Sequence, residues 1–181
     1  RQGTYFYLDE ENPILEKRGV YFVGMNREGK YLPPQQICGV LRIKALTRNQ
    51  DHQEHGFLLE WLDRDNHRHT WSMPAELFKG DGADYRGQLL SSGLYIAPTT
   101  HARLKLAEYI QNHHTPNRAL CVDKTGWYEQ LYVTPHHTYG QQSETEQVIY
   151  QSSQSFISGY TQRGKLEDWR EHVSLPCTGN S

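Results

Sequence analysis

The stretch from Gly56 to Pro98 constrains the fold of this chain more than any other. It runs G-F-L-L-E-W-L-D, then H-R-H-T-W-S-M-P-A-E-L-F-K-G-D-G, then Y-R-G-Q-L-L-S-S-G-L-Y-I-A-P. Residues 57–62 and 69–73 are rich in strand-favouring apolar and aromatic side chains, and a polar segment, 63–67, separates them. A hairpin is the expected result, with Trp61 and Trp71 facing each other across it as core. Pro74 can open a helix, because the first helical position needs no N–H. Gly80, Gly82 and Gly93 then end short turns.

The flanks carry the same kind of signal. Residues 5–8 (Tyr-Phe-Tyr-Leu) and 20–23 (Val-Tyr-Phe-Val) predict strands. After the breaker Pro33-Pro34, residues 37–48 predict one long strand. Side chains alternate across a strand, which places Leu41, Ile43 and Ala45 on one face and Arg42 and Lys44 on the other. Residues 84–92 predict a short helix. Residues 101–112 predict the longest one, capped by Thr100, with Ala102, Leu106, Tyr109 and Ile110 along one face. Strands return at 119–122, 131–134 and 148–150, and residues 165–172 predict a last amphipathic helix. Strands, then helices, then strands again give an α+β class: a mainly antiparallel, barrel-like sheet with a few short helices and one longer helix. Residues 1–160 read as one domain and 161–181 as a helical linker.

Composition excludes several function classes. A net charge of −2 over 181 residues does not suit a protein that coats nucleic acid. No apolar run is long enough for a membrane-spanning helix, so no membrane partner is expected. Cys38, Cys121 and Cys177 are odd in number and far apart, which argues against a secreted disulfide scaffold. A reduced, cytoplasmic setting follows, with Cys38 and Cys121 as small buried hydrophobes.

Few residues announce chemistry. Gly159-Tyr-Thr-Gln-Arg-Gly-Lys-Leu166 satisfies the spacing of a phosphate loop, but Leu166 stands where Ser or Thr must hold Mg²⁺. The segment before it is too polar for a buried strand, so we read it as a loop entering a helix. The ten histidines include His67 and His69, two apart on a strand, and the pairs His113-His114 and His136-His137, but none has zinc-site spacing. Asp63 and Asp65 sit in the hairpin turn, where Asp is common for backbone reasons. No catalytic, cofactor-binding or metal-ligating residue is assigned. The candidate contacts are to nucleic acid: Arg42, Lys44 and Arg48 as a basic strand face, with Arg103 and Lys105 on the long helix. The competing reading is an ordinary solvated sheet face.

A series of marks resembles one family. They are Ile37-Cys38-Gly39 entering a strand that ends in Thr47-Arg48; Leu59-Glu60-Trp61-x-Asp63; Trp71-x-Met73-Pro74 before Gly80-Asp81-Gly82; Arg86-x-x-Leu89-Leu90-x-x-Gly93-Leu94; Cys121-Val122-Asp123-x-Thr125-Gly126-Trp127; and Gly164-Lys165-Leu166-Glu167-Asp168-Trp169-Arg170 before Cys177-x-Gly179-Asn180-Ser181. From about residue 35 onward the chain resembles proteins carrying the domain of unknown function 927. Such proteins are similar to P-loop ATPases and replicative helicases of phages, plasmids and other mobile elements.

The resemblance implies that no cofactor belongs to this chain, and that ATP and Mg²⁺ are used by an ATPase domain beyond Ser181. It implies a non-catalytic N-terminal accessory domain of an ATP-dependent DNA helicase, positioning DNA or the neighbouring subunits of a homo-oligomer. The alternative is an interaction module that docks the ATPase to a primase, an initiator or another replication partner. An exposed aromatic patch without a matching basic surface would favour the second.

Overall fold

The computed structural model describes residues 3–135, 137–143 and 146–151. Along the chain these form β1 (Tyr5–Asp9), β2 (Gly19–Val23), β3 (Gln35–Cys38), β4 (Leu41–Asn49), β5 (Gly56–Leu62) and β6 (Arg68–Pro74). Helices α1 (Ala83–Ser91) and α2 (Thr100–Gln111) follow. The chain then returns to strands β7 (Arg118–Val122), β8 (Gly126–Tyr128), β9 (Leu131–Val133), β10 (Thr138–Tyr139) and β11 (Glu146–Tyr150). Three sheets result, ordered β1-β2-β3, β10-β9-β8 and β11-β7-β4-β5-β6. The class is α+β.

Most strand pairs are antiparallel, but β7 joins both β4 and β11 in parallel. Nothing in the periodicity of residues 119–122 distinguishes the two directions. The direction follows from the excursion through β5, β6, α1 and α2, which brings the chain back to start β7 at the same end as β4. The expected strand at 37–48 is two strands. The chain bends at Gly39-Val40, where the Gly39 N–H donates to the Tyr95 carbonyl at 2.8 Å. β3 stays with the first sheet and β4 crosses to the large one.

A bulge in β4 corrects the expected facing. Ile43 opposes Leu59, yet Ala45 opposes Leu58, leaving Lys44 as the extra residue. One inserted residue exchanges the faces beyond it. Leu41 and Ile43 therefore point into the main core, while Ala45 packs on the other side with Leu58 and Ala119.

The main core lies between the large sheet, the first sheet and both helices. Val20, Phe22, Leu41, Ile43, Leu59, Trp61, Leu89 and Leu106 all belong to it. Phe6 sits 5.1 Å from Phe22 and 5.5 Å from Tyr109, ring to ring, tying β1 to α2. The Tyr109 hydroxyl donates to the Leu41 carbonyl at 3.0 Å. A second core forms where Leu120, Val122 and Val148 meet Leu131 and Val133. Cys38 and Cys121 are both free and buried, and burial raises both thiols, Cys38 to about 12. They act as small hydrophobes.

Local expectations shift by small amounts. The α2 cap is Thr99, not Thr100, its side chain accepting from the Ala102 N–H at 3.1 Å. Pro74 closes β6, and residues Ala75–Phe78 form only a 3-10 turn. Trp61 opposes His69, and Trp71 opposes Leu59, so the two indoles are diagonal neighbours. Trp61 stacks on His69 at 5.5 Å, and its ring N–H donates to the Ser92 carbonyl at 3.0 Å. The helix expected at 165–172 and the linker at 161–181 lie outside the described residues.

The large sheet curls. β6 and β11 are its opposite edges, yet the Ser72 hydroxyl donates to the Gln151 side-chain oxygen at 3.0 Å. The result is a half-barrel whose seam is pinned at one end. Leu59, on β5, is fully buried in the main core. Leu59→Ala should lower unfolding free energy by about 2–5 kcal/mol, from lost transfer energy and the cavity left behind. Urea unfolding followed by tryptophan fluorescence measures it.

Candidate interaction surfaces

The concave face of the half-barrel carries a charged cluster built around Glu60. Arg42, Glu60 and Thr70 are register partners across β4, β5 and β6. Glu60 is a buried residue, so its carboxylate needs cationic partners. Arg42 Nη1 donates to one oxygen at 3.1 Å and Arg68 Nη1 to the other at 3.2 Å, while Lys44 Nζ lies 3.8 Å away. Arg42 turns its remaining fork to Glu10, at 2.6 and 2.5 Å. The Glu10 hydrogen bonds, outweighing desolvation and aided by Glu60, raise the Arg42 guanidinium above its ordinary value. Three cations face two carboxylates, leaving one positive charge.

The predicted nucleic-acid contacts therefore do not form one stripe. Arg42 and Lys44 share Glu60. Arg48 lies on the opposite face of the sheet, beyond the bulge, and pairs with Glu146 at 2.5 Å. Lys105 pairs with Glu108 at 2.6 Å and lies 4.1 Å over the Phe22 ring. Arg103 is exposed on α2 and has no ion pair among the described residues. Of the five, the structure brings only Arg42 and Lys44 together.

The hairpin turn is organised by Asp63. One carboxylate oxygen accepts the backbone N–H of Asp65 at 2.8 Å and of His67 at 2.9 Å. The other meets His69 Nε2 at 2.8 Å and His67 Nδ1 at 3.4 Å. The His69 bond is the largest influence, and with the backbone N–H groups of His67 and Asp65 it outweighs desolvation and holds Asp63 down at about 2. Gly93, at φ +85°, packs against this residue, and a Cβ there would come within 2.6 Å of the Asp63 Cβ. Asp63, Asp65 and His67 gather their ligand atoms within 4.8 Å. The turn accounts for that clustering, because each Asp63 oxygen already accepts hydrogen bonds that close it. His113 is partly buried and its pKa is lowered by desolvation. The Gly159–Leu166 segment, His136 and Cys177 lie outside the described residues.

Two aromatic faces are exposed, and sequence reasoning did not single them out. Trp127, Tyr132 and Tyr139 are register partners across β8, β9 and β10, forming one row of rings. They are 77%, 43% and 54% exposed, with Trp127 edge-on to Tyr132 at 5.2 Å. On the outer face of the first sheet, Tyr7 stacks on Tyr21 at 5.2 Å and Tyr5 meets Tyr31 edge-on at 5.7 Å. The signal was present: in Leu131-Tyr132-Val133 the ring alternates with two residues of the second core, so it must point outward.

Two measurements probe these arrangements. Glu60→Gln should cost about 1–3 kcal/mol, less than a fully enclosed ion pair, because Lys44 and Arg68 reach solvent. It should also raise low-salt affinity for single-stranded DNA, since the cluster's excess rises from one positive charge to two while Arg42 keeps Glu10; equal retention of both forms on immobilised DNA would contradict this. Asp63 has a folded pKa below the unfolded one, so its contribution is present above about pH 4 and fades as pH falls toward about 2. Wild type should then be more stable than Asp63→Asn at pH 7, and the difference should vanish near pH 2.

No curated protein matches the chain. A family model described as Domain of unknown function (DUF927) matches residues 13–181, reaching further toward the N-terminus than the motifs from residue 35 onward. The chain belongs to that family.

Proposed function

We propose that this chain is a non-catalytic accessory domain of an ATP-dependent DNA helicase or replication protein of a mobile element, and that it works by protein–protein docking. The exposed Trp127–Tyr132–Tyr139 row carries the reading. Such rings are enriched where partners bury surface, since each supplies a large, rigid contact at low entropic cost. The candidate cations, by contrast, are mostly neutralised: Arg42, Lys44, Arg48 and Lys105 each have a carboxylate within 4 Å. That combination favours docking to the ATPase domain, a neighbouring subunit, a primase or an initiator over direct DNA contact. ATP and Mg²⁺ would act in the ATPase domain. A cytoplasmic setting belongs to the same reading. No helix among the described residues is long and apolar enough to cross a membrane.

The test places a photo-crosslinking benzoylphenylalanine at position 127 of the intact protein. Crosslinks to the ATPase domain or to a second subunit or replication protein are expected, and Trp127→Ser should weaken that association about tenfold or more. Crosslinks confined to DNA would replace docking with base stacking on the aromatic row.

A further inference from the structure

β6 ends the large sheet, and its outer edge carries an unused row of backbone groups. The Ala75 N–H donates to the His55 carbonyl at 2.9 Å, and the Asp63 N–H to the His67 carbonyl at 3.0 Å. With the β5–β6 register, these two bonds make Phe57–Met73, Leu59–Trp71 and Trp61–His69 the hydrogen-bonded pairs. Arg68, Thr70 and Ser72 fall in the alternate pairs, so their N–H and C=O groups point away from β5. The Ser72 carbonyl accepts from the Gln151 side chain at 3.4 Å. Among the described residues, the backbone groups of Arg68 and Thr70 have no partner.

The facing edge is different. The Thr138 hydroxyl donates to the Val148 carbonyl at 2.7 Å, and the Val148 N–H donates to the Gln142 side-chain oxygen at 2.8 Å, so β11 is capped by side chains. β6 and β11 run in the same direction and are pinned at Ser72 and Gln151. Below the pin lies a cleft of about 610 Å³, with Leu58 and Ile149 at its floor and Arg68, Thr70, His137 and Gln147 on its walls. None of its lining residues among those described is acidic. The Arg68 side chain is 64% exposed and gives one of its five donors to Glu60, leaving others free.

We propose that an extended peptide segment of a partner protein adds to β6 in this cleft, with a carboxylate side chain paired to Arg68. A strand is the occupant that fits, because the edge offers N–H donors and C=O acceptors in alternation. Phosphates could satisfy the donors alone. A partner strand pairing with Arg68 and Thr70 follows the edge for only about 7 Å of extended chain before it meets the Ser72–Gln151 pin. It would remove the open edge that a curled sheet otherwise exposes. The proposal does not depend on the aromatic row, and Trp127→Ser should leave it intact.

The experiment uses the full chain and the synthetic peptide acetyl-Thr-Glu-Val-Glu-Thr-Glu-Val-Thr-amide, with amide hydrogen exchange read by NMR. At millimolar peptide, exchange at the Arg68 and Thr70 amides should slow at least tenfold. The same peptide with Lys for Glu should do so far less, and one with Pro for both Val not at all. Arg68→Gln should bring the acidic and basic peptides toward parity. Absence of slowing with every peptide would overturn the proposal. So would slowing by oligothymidylate in place of peptide, or amides already protected in the chain alone, which would mean its own residues cover the edge.

Discussion

The register shift at Lys44 sets the rest of the structure. β4 lies at the centre of the large sheet, between β5 and β7, so each of its side chains is committed to one of two faces. Before the bulge, Leu41 and Ile43 enter the main core, and Arg42 points to the concave side. After it, Ala45 and Thr47 take the concave side and Leu46 and Arg48 the other. The shift thus gives one strand two apolar contacts of opposite sense. It also lets the sheet curl until Ser72 and Gln151 meet, since a bulge increases local twist.

Glu60 follows from that geometry. A carboxylate inside a curled sheet must be compensated, and Arg42, Lys44 and Arg68 are the side chains that β4 and β6 bring to it. Of these, Arg42 and Lys44 looked, in sequence, like part of a surface for phosphates. Their observed partners are intramolecular. The concave cluster therefore stabilises a shape first, and the single charge it leaves over sits beside a cleft with no acidic lining among the described residues.

Two kinds of surface remain for association. One is aromatic and lies on the small sheet of β8, β9 and β10. The other is a backbone edge, polar and selective for hydrogen-bonding partners. The first suits side-chain packing between folded domains. The second suits a segment that becomes ordered as it binds. Elsewhere, the described thiols are buried and raised, and the Asp63 carboxylate is consumed by its turn.

Much of this was legible in the chain itself. The aromatic and branched runs located β1, β2, β5 and β6, and the alternation of apolar residues over 101–112 located α2, because these are local consequences of side-chain shape and period. The motif series identified the family. What local pattern cannot carry is pairing partner, direction and register. Residues 119–122 have the same look in a parallel or an antiparallel ladder, and an extra residue such as Lys44 is invisible until its neighbour strand is present. The bend at Gly39 likewise depends on the distant Tyr95. The positions of β1, β2, β5, β6 and α2 were thus determined by sequence alone. Which cations are neutralised, which rings stay exposed and which edge stays open were decided only by tertiary structure, since each depends on groups far apart in the chain.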